Sequence, residues 1–321
     1  MGATGGARHA VLQRVQPVHK ACQAPAQPLQ VGCKGPSTGA AHCRLMAQTL
    51  TPTKTRLEPT RIAPETFVIH NQEGEGVAPA ILPVNSLVIR GREPVVVDTG
   101  FGHVGHEFFA DVFSLVEPED IRWVFISHDD VDHTGNVNAL MEVAPNATLV
   151  IDWFMMERMG GTLEVSPLRQ RWIRDGEVFD VGDRKLLTVR PPVFDSPTTR
   201  GLFDTTTGVY WASDSFATPM DKVVRSVTDL DRSYWTEGMP TFNRWVSPWL
   251  EMIDDTKFQK TVDRIEQLQA SVIAGCHTPF IPRSHIGAAL DATRRSPHAE
   301  VLPQPDQDVL DQIQLAMMAA H

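Results

Sequence analysis

The stretch WVFISHDDVDHTGN (residues 123–136) joins an apolar run to a dense group of acid and imidazole side chains. The apolar run, Trp123 to Ile126, predicts a buried strand. Five polar side chains then follow within one short loop: His128, Asp129, Asp130, Asp132 and His133. Carboxylates packed this closely repel one another unless a positive charge compensates them, and the next basic residue after Arg122 is Arg158. The loop therefore predicts a bound metal cation rather than a solvated turn that caps the following helix.

The composition excludes several classes of protein. The chain has 321 residues, of which 42% are hydrophobic, and a net charge of −10. An acidic chain of this kind lacks the basic face that a nucleic-acid partner requires. No apolar run approaches the roughly 18 residues of a membrane span. We therefore expect a cytoplasmic protein with a small-molecule substrate and neither a nucleic-acid nor a membrane partner. The sequence leaves open whether the chain forms an oligomer.

Residues 1–45 differ from the remainder of the chain. They contain no Asp or Glu and five Lys or Arg, and they lack the continuous apolar segment of a secretory signal. This composition predicts either disorder or a start codon assigned too early, with Met46 as the true start. Three of the four cysteines lie in this segment, which leaves Cys276 alone in the body. The chain therefore has no disulfide framework, as suits a reducing cytoplasm.

Short strands and helices alternate from about residue 66. Strands are predicted at TFVIHN, NSLVIRG, PVVVDTG, RWVFISH and ATLVIDW, and later at KLLTVRPPVF, TRGLFDTTTGVYWASD and ASVIAGCH. Helices are predicted at EFFADVFSLV, GNVNALMEVAP and DTKFQKTVDRIEQLQ. Two strand-rich halves, each with its own helices, predict an α/β fold in which two sheets pack face to face and helices cover the outside.

Four of these segments end on residues that can bind metals. Besides the loop at 128–133, Asp195 follows the segment VRPPVF, Asp214 ends the strand GVYWAS, and His277 ends SVIAGC. In a sandwich, strand ends from both halves can meet at one edge. Residues far apart in the sequence can therefore share one site.

The loop HDDVDH resembles the His-x-His-x-Asp-His motif of the metallo-β-lactamase fold, with Asp130 in place of the second histidine. A carboxylate at that position is typical of the flavodiiron proteins and their oxygen-binding di-iron relatives. The segment LPVNSLVIRGREPVVVDTG (residues 82–100) is also similar to the opening of that branch. The resemblance covers about residues 66–285. It implies an αββα sandwich of two mixed β-sheets flanked by helices, with residues 46–321 as one domain that ends in a helical tail.

The resemblance also implies a ligand set for two divalent metal ions. One ion would be held by His128 and Asp130, the other by Asp132 and His277 with His133 as a further candidate, and Asp214 would bridge the two ions. The family's remaining ligand is a histidine, but the chain has none between His133 and His277, so we expect Asp195 to replace it. The complete predicted set is His128, Asp130, Asp132, His133, Asp195, Asp214 and His277. Three imidazoles and four carboxylates favour iron or manganese, with zinc as a further candidate.

Other residues are given supporting roles or left with two interpretations. We expect Asp98 to support a ligand rather than bind metal, His103 and His106 to lie on the surface, and Cys276 to be a small core residue. The aromatic segment 232–252 is either core or a wall beside the metals that receives a flat substrate. That wall would be formed by three tryptophans: Trp235, Trp245 and Trp249.

Two classes of function follow from these features. In the first, a hydroxide between the metals attacks a small substrate, for example an aromatic one, which is an ester, a lactone, an amide or an activated ether. Asp132 is then the catalytic residue that orients the nucleophile or carries its proton. In the second, a di-iron centre binds, senses or reduces dioxygen or nitric oxide with a separate electron donor. Only a short segment follows His277, and no Cys-x-x-Cys pair is present. We therefore expect no flavodoxin domain and no flavin in this chain, and we favour the hydrolase on the sequence alone.

Overall fold

The computed structural model describes residues 55–75 and 80–319. The predictions made for residues 1–45 fall outside these ranges. Among the described residues, no helix combines the length and the apolar character needed to cross a membrane.

The strands of the described chain fall into a seven-stranded sheet, a six-stranded sheet and a two-stranded ribbon. In chain order they are β1 (Thr60–Ala63), β2 (Thr66–Ile69), β3 (Gln72–Glu73), β4 (Leu82–Pro83), β5 (Ser86–Ile89), β6 (Val95–Val97), β7 (Trp123–Phe125), β8 (Thr148–Ile151), β9 (Gln170–Trp172), β10 (Val178–Asp180), β11 (Lys185–Val189), β12 (Gly201–Asp204), β13 (Val209–Trp211), β14 (Val272–Gly275) and β15 (Thr278–Pro282). The first sheet has the order β1-β2-β5-β6-β7-β8-β9, and the second runs from β10 to β15 in sequence order. Both sheets are mixed, because β6 to β9 pair in parallel in the first, as do β13 and β14 in the second.

The helices lie in two groups that follow the two halves of the chain. In chain order they are α1 (Gly105–Leu115), α2 (Val131–Thr134), α3 (Val137–Val143), α4 (Trp153–Met159), α5 (Arg232–Val246), α6 (Asp255–Gln267), α7 (Arg283–Arg295) and α8 (Gln307–Ala319). Helices α1, α3 and α4 pack their apolar side chains on the first sheet. Helices α5, α6 and α7 do the same on the second sheet.

A third apolar cluster lies between the two sheets. Val97, Phe125 and Val150 from the first sheet meet Leu202 and Trp211 from the second, and all five side chains are at most 2% exposed. The molecule is therefore an αββα sandwich, and the predicted fold class is confirmed.

Parallel pairing places the ends of several strands at one edge of the sandwich. Strand β7 lies between β6 and β8 and pairs in parallel with both, so the loop that begins at His128 leaves the sheet beside Asp98. In the second sheet, β13 and β14 are parallel neighbours. Asp214 and His277 follow their carboxyl ends and emerge on the same side. This topology brings candidate ligands from both halves of the chain to one place.

A tight contact between two loops fixes the position of the segment that holds the histidines. The backbone N–H of Gly135 donates to the carbonyl of Gly100 at 3.0 Å. A Cβ atom at position 135 would lie only 2.5 Å from that same carbonyl oxygen, so only glycine permits the approach. Asn136 adds side-chain hydrogen bonds to the carbonyls of Thr99 and Phe101 at 2.7 and 2.9 Å.

Candidate metal centre

The structure brings all seven predicted metal ligands together at this edge. The other six, apart from Asp214, fall into two groups, the second of which also contains Cys276, and in each group the candidate ligand atoms lie within 4.8 Å of one another. The first group, called the outer pocket below, consists of His128, Asp130 and Asp195. The second, called the inner pocket, consists of Asp132, His133, Cys276 and His277.

Asp214 lies between the two pockets. Its Oδ2 is 3.2 Å from His128 Nε2 in the outer pocket. Its Oδ1 is 2.9 Å from His133 Nε2 and 3.5 Å from His277 Nε2 in the inner pocket. The two oxygens of one carboxylate therefore face two different groups, which is the geometry that a bridging ligand requires.

The outer pocket is the more open of the two. His128 Nε2 lies 3.6 Å from Asp130 Oδ2 and 3.7 Å from Asp195 Oδ1. The histidine is fully buried, but the side chains of Asp130 and Asp195 are 48% and 33% exposed. This pocket therefore has one fixed imidazole and two carboxylates that face solvent.

The inner pocket is more enclosed. Oδ2 of Asp132 lies 3.0 Å from His277 Nε2 and 3.4 Å from His133 Nε2. The sulfur of Cys276 is 3.9 Å from the same oxygen. The side chains of Asp132 and His277 are each 13% exposed, and His133 and Cys276 are fully buried.

Three buried polar atoms in the centre have no hydrogen-bond partner within the described part of the chain. They are His128 Nε2, His133 Nε2 and Asp214 Oδ1. Burying such atoms unpaired is costly, and buried polar atoms without a partner point to an ion or a functional role. Nitrogen and oxygen atoms directed toward one another across short gaps can instead share a cation. The donor set thus fits a pair of divalent metal ions.

The electrostatics of the site favour positive charge. Burial and the neighbouring His133 lower the pKa of His128, but Asp214 and Asp130 outweigh both and raise it to about 10. Despite burial, the pKa of His277 is raised well above its usual value by Cys276 and Asp214. Burial alone would raise the pKa of Asp214, yet the three imidazoles around it hold that pKa well below its usual range. A dication would displace the protons that the imidazoles otherwise hold.

Asp98 holds His133 in position from the side away from the pockets. It follows β6 with a left-handed backbone, φ 57°, and is completely buried. Its Oδ2 lies 3.0 Å from His133 Nδ1 and accepts hydrogen bonds from Ser127 Oγ at 2.8 Å and Trp211 Nε1 at 2.9 Å. With Nδ1 bound to this carboxylate, Nε2 of His133 is directed into the centre. The contact agrees with the supporting role expected for Asp98.

The other two imidazoles are oriented in a similar way. His277 donates from Nδ1 to the carbonyl of Pro83 at 2.8 Å. His128 Nδ1 lies 3.1 Å from the hydroxyl of Ser213, which is 2.8 Å from Ser127 Oγ. Neither serine carries a pattern that would identify it in the sequence, because each acts only through contacts across the two sheets.

Asp129 is the acid of the loop that belongs to neither pocket. Its carboxylate accepts hydrogen bonds from Ser196 Oγ at 2.5 Å and Thr198 Oγ1 at 2.7 Å, and it pairs with Arg158. Partial burial would raise the pKa of Asp129, but these bonds lower it. The sequence has no basic residue near this loop, but α4 brings Arg158 back to Asp129. The network ties the loop with Asp130 to the loop with Asp195.

A cleft of about 470 Å³ opens onto the centre. Besides acids and His277, it is lined by four apolar side chains, namely Leu82, Val84, Phe101 and Val131. None of the three tryptophans of the proposed aromatic wall is among the lining residues. Trp235 is 1% exposed in the core under α5, and Trp249 donates to the carbonyl of Phe194 at 2.8 Å. Trp235 therefore belongs to the core, and the three tryptophans do not line the cleft as the wall would require.

The family model described as "ODP family beta lactamase" matches residues 83–278, which is more than half of the chain. The chain belongs to this family. The matched region contains all seven predicted ligands, and the predicted relationship to the metallo-β-lactamase fold near the flavodiiron branch is confirmed.

Individual relatives carry related names. The putative diflavin flavoprotein A 1 of Thermosynechococcus vestitus is 28% identical over 181 residues, or 53% of this chain and 32% of the relative. The flavo-diiron protein FprA2 of Clostridium acetobutylicum is 20% identical over 230 residues, or 68% of this chain and 54% of the relative. The chain thus spans about a third to a half of these relatives' lengths.

A solved structure supports the same fold. The rubredoxin oxygen:oxidoreductase of Desulfovibrio gigas superposes with a TM-score of 0.66 at 15% identity, covering 75% of this chain and 62% of that one. The three proteins are named as a diflavin flavoprotein, a flavo-diiron protein and an oxygen:oxidoreductase, and these names indicate redox chemistry. The prediction that this chain is a hydrolase is therefore wrong, and so is the preference for it over the di-iron alternative. The harder, carboxylate-rich set of candidate ligands was a better indicator of function than the short segment after His277.

Proposed function

We propose that the chain holds two iron ions and binds and reduces dioxygen or nitric oxide, with electrons from a separate donor. The observation that carries this proposal is Asp214, whose two oxygens face two pockets of nitrogen and oxygen atoms. Hard carboxylate ligands combined with imidazoles suit iron. Relatives named as a flavo-diiron protein and an oxygen:oxidoreductase support the same assignment.

Each ligand receives a specific role in this proposal. In the outer pocket His128, Asp130 and Asp195 hold one ion, and Asp195 takes the place of a histidine. In the inner pocket Asp132, His133 and His277 hold the other ion, and Asp214 bridges the two. Asp132 is proposed as a ligand only, because the catalytic role expected for it was part of the hydrolase prediction.

When bound, the two ions supply electrons and open coordination positions for a diatomic gas. The chain's own residues control access to them. Leu82, Val84 and Phe101 give the cleft an apolar side, which suits a small uncharged molecule. Because the carboxylates of Asp130 and Asp195 are partly exposed, an ion held in the outer pocket would be the one nearer the solvent.

Reduction of either gas also consumes protons, and Glu73 is placed to deliver them. It lines the cleft but belongs to neither pocket. Its carboxylate lies 3.2 Å from Nε2 of His103, and the side chains are 39% and 63% exposed. A carboxyl group that reaches both solvent and cleft can pass protons inward. As expected, His103 itself lies on the surface.

The test begins with anaerobic loading of the full chain with iron, followed by metal analysis and Mössbauer spectroscopy. We expect about two irons per chain with the spectrum of a coupled pair. The protein is then reduced chemically and mixed with dioxygen or nitric oxide in separate experiments. Consumption of either gas beyond the stoichiometry of the centre, under excess reductant, supports the proposal.

Two variants give the experiment its controls. Asp214→Ala should lose the iron and the reaction with gas, whereas Asp291→Ala, which removes an exposed carboxylate on α7, should keep both. Less than one iron per chain in the unchanged protein would overturn the proposal. If dioxygen binds reversibly and is not consumed, the protein is an oxygen sensor rather than a reductase. The di-iron centre would then be retained in the assignment, but turnover would not.

A further inference from the structure

We propose that Cys276 is a further ligand of the inner metal ion, bound through its thiolate. This inference deepens the proposed function and rests on it, because it concerns one of the same two metal positions. It gives a soft sulfur ligand to a centre that otherwise contains only nitrogen and oxygen donors. The sequence alone suggested no more than a small core residue at this position.

The backbone around Cys276 is fixed by contacts with other parts of the sandwich. Its N–H donates to the carbonyl of Ser213 at 2.8 Å, and its carbonyl accepts from the N–H of Asn85 at 2.9 Å. The pairing of β14 with β15 is irregular between Ile273 and Gly275, immediately before the cysteine. Cys276 therefore departs from the regular alternation of side chains along the strand. Its backbone is held by hydrogen bonds to segments next to both sheets.

The side chain borders the core between the sheets but its sulfur faces the inner pocket. Cys276 belongs to the apolar cluster between the sheets and is fully buried. Its Sγ is nevertheless 3.9 Å from Oδ2 of Asp132. The sulfur also lies within 4.8 Å of ring nitrogens of His133 and His277. A purely apolar role would not require the thiol to lie among three polar ligand atoms.

An independent observation is that one buried ring nitrogen of this pocket has no hydrogen-bond partner among the described residues. His133 is completely buried, and its Nε2 has no hydrogen-bond partner among the described residues. That nitrogen is directed toward the pocket because its Nδ1 is held by Asp98. A cation placed among Asp132, His133, Cys276 and His277 would satisfy it. On binding, the metal replaces the thiol proton, which passes to solvent, and no electron is transferred.

The consequence is a centre with two unlike positions. The inner ion would have two imidazoles, a thiolate and a carboxylate besides the bridge, while the outer ion would have one imidazole and two carboxylates. Thiolate is a soft ligand that suits zinc, iron and cobalt, whereas carboxylates suit harder ions such as manganese. The inner position should therefore accept cobalt or zinc more readily than the outer one does.

X-ray absorption on the full-length protein tests the assignment directly. The chain is loaded with cobalt(II) or with iron(II) under anaerobic conditions, and the metal content is measured first. A thiolate on one of two ions gives an average of about half a sulfur neighbour per metal, at about 2.3 Å as found for zinc–thiolate bonds. The cobalt form should also show a thiolate-to-metal charge-transfer band in the near ultraviolet.

Variants separate Cys276 from the three cysteines outside the described residues. Replacing Cys22, Cys33 and Cys43 together by Ser should leave the sulfur neighbour and the band unchanged. Cys276→Ser should remove both while the other cysteines remain. The reverse pattern, in which the signal survives Cys276→Ser and is lost in the triple variant, would overturn the assignment.

Measurements on the unchanged protein decide the assignment even where Cys276→Ser fails to fold. Two metals per chain with only nitrogen and oxygen neighbours would remove Cys276 from the ligand set and leave the proposed di-iron function intact. Failure to bind any metal would overturn the proposed function and this inference together. The two failures are thus distinguished by the metal content alone.

Discussion

The outer and inner pockets differ in how the protein supports them. The outer pocket takes two of its three ligands from solvent-exposed carboxylates. The inner pocket has side chains that are at most 13% exposed, and its His133 is held by the buried carboxylate of Asp98. Ligands that are fixed before binding lose little conformational entropy when the metal arrives. The inner pocket should therefore bind its ion more tightly, and the outer ion should exchange faster.

The largest expected effect comes from the residue that both pockets share. Asp214→Ala removes the proposed bridging ligand from both positions, and it also removes the negative charge that faces all three imidazoles. We expect the metal content to fall from about two ions per chain to near zero. Metal analysis after gel filtration measures this, with Asp291→Ala as the matched carboxylate control. Retention of both ions would show that the pockets are independent and that Asp214 is no bridge.

The next effect distinguishes the two pockets. Asp195→Ala removes an outer ligand only, so about one ion per chain should remain, and that ion should resist a chelator. Asp195→His supplies an imidazole in place of the carboxylate and should restore the second ion, with a preference shifted toward zinc. The rate of metal loss to a chelator is followed in all three proteins. Two ions lost at a single rate from Asp195→Ala would contradict the division into two pockets.

A smaller effect is expected from the support of the inner pocket. Asp98→Asn keeps the shape of the side chain but removes the charge that holds Nδ1 of His133 and Nε1 of Trp211. Loss of such a supporting group typically weakens metal binding by roughly 10- to 100-fold. Competition with a chelator of known affinity measures the change. If the affinity for the outer ion falls instead of the affinity for the inner ion, the assignment of His133 to the inner pocket is wrong.

The smallest effect concerns the link between two loops. Asp129→Asn weakens the hydrogen bonds that hold Ser196 and Thr198 beside Asp195. A net loss of about 1 kcal/mol corresponds to a few-fold faster loss of the outer ion. Arg158→Gln removes only the 41% exposed arginine that pairs with Asp129 and should change the rate less, since exposed ion pairs contribute about 0–1 kcal/mol. If the inner ion is lost faster by the same factor, the loop does not act on the outer pocket alone.

Much of the fold was predictable because buried strands leave an apolar signal. The segments around β2, β5, β6, β7 and β8 were all predicted, and these strands are almost wholly buried. The strands that end the two large sheets were missed: β1, β9, β10 and β15. Edge strands bury less of their surface, and β15 contains Pro279 and Pro282, which are tolerated at an edge but argue against a strand in the sequence.

The candidate ligands that directly follow buried strands could be predicted from the sequence. The residues that reach the site only through contacts between distant parts of the chain could not. The loop at 128–133 and the strand ends at Asp214 and His277 are visible as abrupt changes from apolar to metal-binding residues. Arg158 was missed because it is far from Asp129 in the sequence and reaches it only through the packing of α4. The aromatic segment was ambiguous because its spacing shows that one face of α5 is apolar but not what that face contacts.

The distance along the chain between the proposed inner ligands has a consequence for the lifetime of the protein. Asp132 and Cys276 are 144 residues apart and meet only when both sheets have formed. A metal bound there recognises the folded chain and not the unfolded one, so mass action makes stability depend on metal supply. At a free metal concentration 100 times the dissociation constant, one such site adds about 2.7 kcal/mol to the free energy of unfolding. Chains made during metal scarcity would unfold more often and be degraded sooner, which would match the amount of protein to the metal available.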